Sequence, residues 1–228
     1  MIVIVAGMYR SGSTFSFNIV RELLAARGNT ISMLSNSLGT YSPDSTQTSH
    51  VVLKSHSPDD SCTELIVSGA AICVCTFRRP EDAIASWARA FGFSLESALE
   101  TVRQWLVWHR TIADRALNIR YERLDTAPLS VILDIQRGLF ALHNLHEAQD
   151  LRKKYDKKKL KDQYDRLQET DQTTNIGVSY YDKTTLFHRG HITTMHSRQA
   201  IRCLDRPAVA HIRHILREFV DVEGRYTP

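Results

Sequence analysis

Apolar runs of strand length alternate with longer amphipathic stretches over the first two thirds of this chain. Ile2-Val3-Ile4-Val5-Ala6, Val51-Val52-Leu53 and the run at 70–77 predict strands buried on both faces, and Leu117-Asn118-Ile119-Arg120-Tyr121 predicts a shorter one. Between them, residues 15–27 carry apolar positions at helical spacing and stop at Gly28-Asn29, a natural C-terminal cap. Arg78-Arg79-Pro80 breaks the third run and opens a helix whose first turn holds Glu81 and Asp82, the charge sign that a helix N-terminus favours. A long helix is predicted over about 94–116, with Leu95, Leu99, Val102, Trp105, Leu106 and His109 sharing one side; others are predicted over 128–142 and 207–220. The alternation predicts an α/β fold of three layers, a central parallel sheet flanked by helices, and the length fits one domain over 1–228.

The polar segments refine this picture. Residues 35–49 are crowded with Ser, Thr, Asn and Gly around Pro43 and read as a loop long enough to reach a ligand. Residues 151–168 are rich in Lys, Asp, Arg and Tyr, and the interspersed aspartates predict a solvated helix face rather than a nucleic-acid surface. Residues 170–183 are polar and Gly-containing and read as a mobile lid leading to Phe187-His188-Arg189-Gly190-His191; whether a lid spans 171–195 is left open by the sequence. With 29 basic against 25 acidic residues, the formal charge of +4 suits an anionic ligand and is too small to argue for nucleic acid. No apolar run approaches the ~20 residues that cross a bilayer, and none has the flanks of a secretory leader, so no membrane partner and a cytoplasmic location are expected. Cys62, Cys73, Cys75 and Cys203 lack metal-knuckle spacing and are expected as core thiols.

The most informative chemistry lies where the first strand runs into Gly7-Met8-Tyr9-Arg10-Ser11-Gly12-Ser13-Thr14. Glycines at that junction let backbone N–H groups converge on an anion at the start of a helix, as in a P-loop. A nucleotide triphosphatase would carry lysine after the second glycine, and Ser13 stands there instead. The loop is therefore P-loop-like without the lysine of ATP hydrolysis. Lys54-Ser55-His56, Arg78 and Tyr121 fall at or just past other strand ends, where parallel sheets collect their ligands.

Together these segments resemble the sulfotransferases that use 3′-phosphoadenosine 5′-phosphosulfate (PAPS). Arg10-Ser11-Gly12-Ser13-Thr14-Phe15 matches the family's 5′-phosphosulfate loop [KR]-S-G-[ST]-[ST]-aromatic, and Lys54-Ser55-His56 its strand-ending K-[ST]-H. Arg78, Pro80, Asp82 and Ser86 match its 3′-phosphate element R-x-P-x-D-x-x-x-S, and the resemblance covers about residues 1–122.

The resemblance implies transfer of a sulfonate group to a hydroxyl or amine of a small-molecule acceptor, without a metal, releasing 3′-phosphoadenosine 5′-phosphate (PAP). Arg10, the loop N–H groups, Ser11, Gly12, Ser13 and Thr14 would hold the departing phosphate, where charge accumulates as the bond breaks. Lys54 would neutralise the transferring sulfonate. His56 follows by two residues on the same face of an extended segment, and its near-neutral pKa suits a general base. Arg78 and Ser86 would hold the 3′-phosphate, Phe15 would stack on adenine, and Tyr121 would meet the adenine edge. Phe187-His188-Arg189-Gly190 resembles a worn form of the closing loop F-x-R-K-G, which makes Arg189 a second 3′-phosphate ligand beside Gly190.

Three features depart from the family pattern: Arg10 stands where many members have lysine, Ile192-Thr193-Thr194-Met195 replaces a G-D-W, and the K-x-x-x-T-V dimer motif is absent. The short length favours a compact metabolite over a polysaccharide, as in a tailoring enzyme of secondary metabolism. The alternatives are a P-loop nucleotide or small-molecule kinase, which calls for a loop lysine and a magnesium-binding acid, and a noncatalytic nucleotide-binding protein, which has no use for the Lys54/His56 pair. His109, His143, His146, His211 and His214 are expected to pack or lie on the surface, and Trp87, Trp105 and Trp108 to build core or pocket wall.

Overall fold

The computed structural model describes the chain except residues 40–48, 176–179, 191, 193–200 and 222–224, together with the side chain of Ile201. Five parallel strands form its centre: β1 (Ile2–Gly7), β2 (Thr30–Leu34), β3 (His50–Ser55), β4 (Ile72–Phe77) and β5 (Ala116–Arg120), in the order β2-β3-β1-β4-β5. After β3 the chain crosses over β1 to lay down β4 on its other side, so a crevice opens beyond the carboxyl end of β1. The register is what builds the site: Ala6 pairs with Ser55 and Gly7 with Thr76, so β1, β3 and β4 end level with one another.

Helices cover both faces. α1 (Ser13–Ala25) follows the loop after β1, α2 (Asp60–Val67) follows β3, and α3 (Pro80–Phe91) and α4 (Leu95–Ile112) follow β4. Then come α5 (Tyr121–Thr126), α6 (Pro128–Phe140), α7 (Leu145–Lys154), α8 (Lys157–Tyr164) and α9 (Arg206–Ile215), with a short antiparallel ribbon of β6 (Thr173–Asn175) and β7 (Tyr180–Asp182). Alternate residues of β1 feed opposite cores. Ile4 and Ala6 join α3, α4 and α9, whereas Val3 and Val5 join α1, α6 and the α7–α8 region. The strands are continuously apolar because both faces are covered.

The expected α/β three-layer fold is present, with some boundaries moved. The long helix ends at Ile112, a 3₁₀ turn over Ala113–Arg115 follows, and Ala116 already begins β5. The last helix closes at Ile215 rather than 220. β2 and α2 had no sequence prediction; Asp59 caps α2 by accepting from the Cys62 N–H at 3.0 Å. Residues 151–168 are not one solvated helix: Asp156 caps a new helix, α8, and Leu151, Tyr155, Leu160 and Tyr164 are buried. The ribbon falls within the segment read as a lid, of which residues 176–179 lie outside the described residues, as do His191, Thr193, Thr194 and Met195 of the segment that follows.

Cys62, Cys73 and Cys75 are buried as expected, but Cys203 is exposed, a correction that follows from its place in a surface 3₁₀ turn. His143, His146, His211 and His214 lie on the surface. His109 is fully buried, its two ring nitrogens 2.7 Å from the Tyr226 hydroxyl and 2.7 Å from Asn118 Oδ1, and burial pushes its pKa down to about 4. Asn118 Oδ1 accepts from Nε2–H and the Tyr226 hydroxyl donates to Nδ1, so the ring is satisfied in its neutral form and ties the C-terminal segment to the core without carrying charge.

Candidate active site

The loop between β1 and α1 is shaped by two glycines for two different reasons. A Cβ on Gly7 would stand 2.2 Å from Ser13 Cβ and 2.6 Å from Thr76 Oγ1, so only glycine lets the strand end pass under the helix start. Gly12 has φ +82, and a Cβ there would meet Leu124 Cδ1 at 2.6 Å. Arg10 also adopts the left-handed region, at φ 64, a strain of roughly 1–3 kcal/mol of the kind found at functional sites. The Phe15 and Ser16 N–H groups donate to Gly12 O at 3.0 and 3.3 Å, so the Ser13 and Thr14 N–H groups are the ones with no earlier intrahelical carbonyl to meet.

Ser11 has a different part from its neighbours. Its hydroxyl lies 2.6 Å from Met8 O, 2.9 Å from Thr76 O and 2.8 Å from Thr76 Oγ1, and its N–H donates to Met8 O at 3.2 Å. Ser11 is thus spent on fastening the loop to β4. Thr14 Oγ1 accepts from the Lys54 ammonium at 2.6 Å, which leaves its own hydrogen for a ligand. Lys54 is buried at the end of β3, and desolvation lowers its pKa to about 7.

The loop cation points to the third helix. Arg10 Nε donates to Ser86 Oγ at 3.2 Å, and Arg78 Nη1 donates to the Arg10 carbonyl at 3.2 Å. Arg10 and Ser86 therefore form one polar chain with Arg78, joining the residues expected at the two ends of the nucleotide. Burial, and then the charge of Arg78, lower the Arg10 pKa. The Arg78 guanidinium is buried, lies 4.4 Å from the Tyr121 ring centroid, and leaves its Nε without a hydrogen-bond partner among the described residues. A buried cationic donor without an acceptor points to an anionic ligand.

One cleft connects these groups. Arg10, Gly12, Thr14, Arg78 and Ser86 line its end at the strands, while Phe15, Tyr121, Leu124 and Leu160 supply apolar walls for a flat base. Phe15 is braced edge-on by Tyr155 at 6.4 Å. Sequence reasoning missed the far wall, where Arg152, Tyr155, Asp156 and Lys157 come from the α7–α8 corner. Asp156 as an N-cap residue ahead of a lysine-rich stretch was the available signal. Arg189 and Gly190 are exposed and are not part of this lining.

His56 is not among the residues that line the cleft. Its Nδ1 is 2.6 Å from the Gly7 carbonyl oxygen, which can only accept, so Nδ1 carries the hydrogen and Nε2 is left bare to take a proton. Tyr9 stacks on the imidazole at 4.1 Å and 15°, and Trp87 stacks on the other face of Tyr9 at 4.2 Å and 9°. Burial first, then the positive charge of Lys54, push the His56 pKa down to about 3. The aromatic wall continues from Trp87 to Phe93, from Phe93 to Phe91, and from Phe91 to His188. His188 itself is buried, with its pKa lowered by burial to about 4. The cleft and the aromatic-stacked His56 are thus two separate surroundings, both built on residues of or next to the β1–α1 loop.

No protein-family model matches this chain, and no curated protein matches it. Solved structures do. Mouse sulfotransferase SULT7A1 complexed with PAP is similar at a TM-score of 0.58 and 11% identity, over 96% of this chain and 83% of that one. Retinol dehydratase in a complex with retinol and PAP is similar at 0.57 and 14% identity, over 95% and 80%. Retinol dehydratase with androsterone and inactive cofactor PAP is similar at 0.56 and 15%, over 95% and 80%. The chain has the sulfotransferase fold.

Proposed function

We propose that this protein is a PAPS-dependent sulfotransferase acting on a hydroxyl or amine of a small-molecule acceptor. The observation that carries this reading is the unpartnered, buried Arg78 Nε in a cleft that also holds the P-loop N–H groups and apolar walls for a base. PAPS supplies an activated sulfonate with PAP as leaving group. Fixed N–H groups of the loop and the Thr14 hydroxyl hold the phosphate at the strand ends, and Lys54, one hydrogen bond behind Thr14, compensates charge that builds there. His56 Nε2 takes the acceptor proton as the acceptor oxygen or nitrogen bonds to sulfur and the sulfur–phosphate-oxygen bond breaks. Arg10 stays charged throughout, so it stabilises the leaving group without protonating it. The likenesses to PAP complexes support the donor, and those to retinol and androsterone complexes support a compact acceptor.

Calorimetric titration tests the donor. Adenosine 3′,5′-bisphosphate should bind about 10- to 100-fold more tightly than adenosine 5′-monophosphate, since charge-assisted hydrogen bonds contribute about 1.5–3 kcal/mol each. Added chelator should leave both affinities unchanged; equal affinities, or loss of binding in chelator, would remove the reading. The sign of the accompanying proton flux is also fixed. Lys54 titrates near 7 in the free protein, so at pH 8 it is mostly neutral, and a bound anion raises its pKa. Binding at pH 8 should therefore take up protons, at most about one per site, read from the buffer dependence of the enthalpy. Lys54→Met should abolish that uptake.

A further inference from the structure

The α7–α8 corner brings to the cleft a cation that the strand ends do not explain. Arg152 lines the cleft with Arg10 and Arg78, and among the described residues its guanidinium makes no hydrogen bond or ion pair. Both carboxylates of that wall are already engaged. Asp125 Oδ1 accepts from Lys157 Nζ at 2.6 Å. Asp156 is four residues after Arg152, the spacing of an ion pair on a continuous helix. The helix breaks between them, and Asp156 instead caps α8, accepting from the Lys158 and Lys159 N–H groups at 3.1 Å each. The break therefore leaves Arg152 without a bonded carboxylate at a cleft that already holds two arginines. Asp125 and Asp156 line the same wall, but neither bonds Arg152, so its guanidinium donors stay open to an incoming anion.

We propose that Arg152 is a ligand of the nucleotide's 3′-phosphate, acting with Arg78 in the role that the family resemblance assigned to Arg189. The proposal rests on the donor reading above. The 5′ end is served by the loop N–H groups, Thr14 and Lys54, whereas the 3′-phosphate is a dianion with several acceptor lone pairs, more than Arg78 and the single hydroxyl hydrogen of Ser86 can satisfy. Arg152 is exposed and long enough to settle on the phosphate as the nucleotide fills the cleft. Its neighbours Tyr155 and Leu160 are buried and hold the corner in place.

The test is titration of adenosine 3′,5′-bisphosphate and adenosine 5′-monophosphate into the wild-type protein, Arg152→Gln and Arg189→Gln. Arg152→Gln should weaken the bisphosphate about 10-fold or more and change the monophosphate less than about twofold. Arg189→Gln should change neither beyond about twofold. Both side chains are exposed, so thermal melting should stay within the wild-type range and exclude misfolding. Unchanged bisphosphate affinity in Arg152→Gln overturns the proposal. So does an equal loss for both nucleotides, which puts Arg152 on the base or the 5′ end, and so does a larger loss in Arg189→Gln. Failure of the donor reading shows separately, as a wild-type protein that does not prefer the bisphosphate.

Discussion

If His56 is the base of the proposed reaction, His56→Ala should lower turnover by about 10²-fold or more and leave PAP affinity within about twofold, the pattern expected when a positioned base is removed. The geometry separates the two effects: His56 is not part of the cleft lining and is bonded through Nδ1 to the Gly7 carbonyl, so its loss leaves the cleft wall intact. The pH profile carries a second signature. With its pKa held down to about 3, His56 is neutral across the physiological range in the free protein. Protonation of this base therefore gives no acid limb in kcat/KM near 6.5; any such limb from His56 lies well below pH 5. The lowered value has burial as its first cause and the charge of Lys54 as its second. The measurement uses the acceptor found by screening for PAP release. Near-normal turnover of His56→Ala on that acceptor would move this histidine into a structural role and direct attention to His188.

Arg78→Ala acts on binding instead. Removing a buried guanidinium takes away the unpartnered Nε, the bond to the Arg10 carbonyl and the packing over Tyr121 together. The expected loss is about 10²-fold in adenosine 3′,5′-bisphosphate affinity, with a smaller loss for the 5′-monophosphate, measured by titration. Arg78→Lys restores the charge and not the planar fork, so it recovers only part of the affinity. An Arg78→Ala protein that keeps its preference for the bisphosphate would show that the 3′-phosphate is held elsewhere. Unlike Arg152, Arg78 is buried, so the comparison is made only on protein whose melting confirms the fold.

Much of the site was legible because local patterns dictate it. Apolar runs too short for helices and bounded by Gly, Lys or Arg predict buried parallel strands, and a glycine loop after the first predicts an anion cradle; both depend on neighbours in sequence alone. Residues 54–56 and 78–86 were readable in the same way, as strand ends leading into a turn and a proline-opened helix. What each of those side chains does was less legible. Ser11 faces β4 rather than a ligand, and Arg10 reaches Ser86, because the level strand ends fixed by the Ala6–Ser55 and Gly7–Thr76 pairs decide which groups meet.

The sequence by itself determined the α/β layering, the loop that suits phosphate, and the chemical inventory of Arg, Lys and His at strand ends, since these follow from local periodicity and residue type. Only the tertiary structure decided which cations share the cleft. Arg189 belongs to a family-like motif yet stays exposed off the wall, while Arg152, in a segment that reads as a solvated face, lines it. The Tyr9 ring between His56 and Trp87 is a further case: the partners stand 47 and 78 positions away in sequence, and stacking is set by how β1, β3 and α3 pack. Local pattern constrains what a segment becomes, but ligand contacts at a distance depend on where helix breaks and strand register place the ends of side chains.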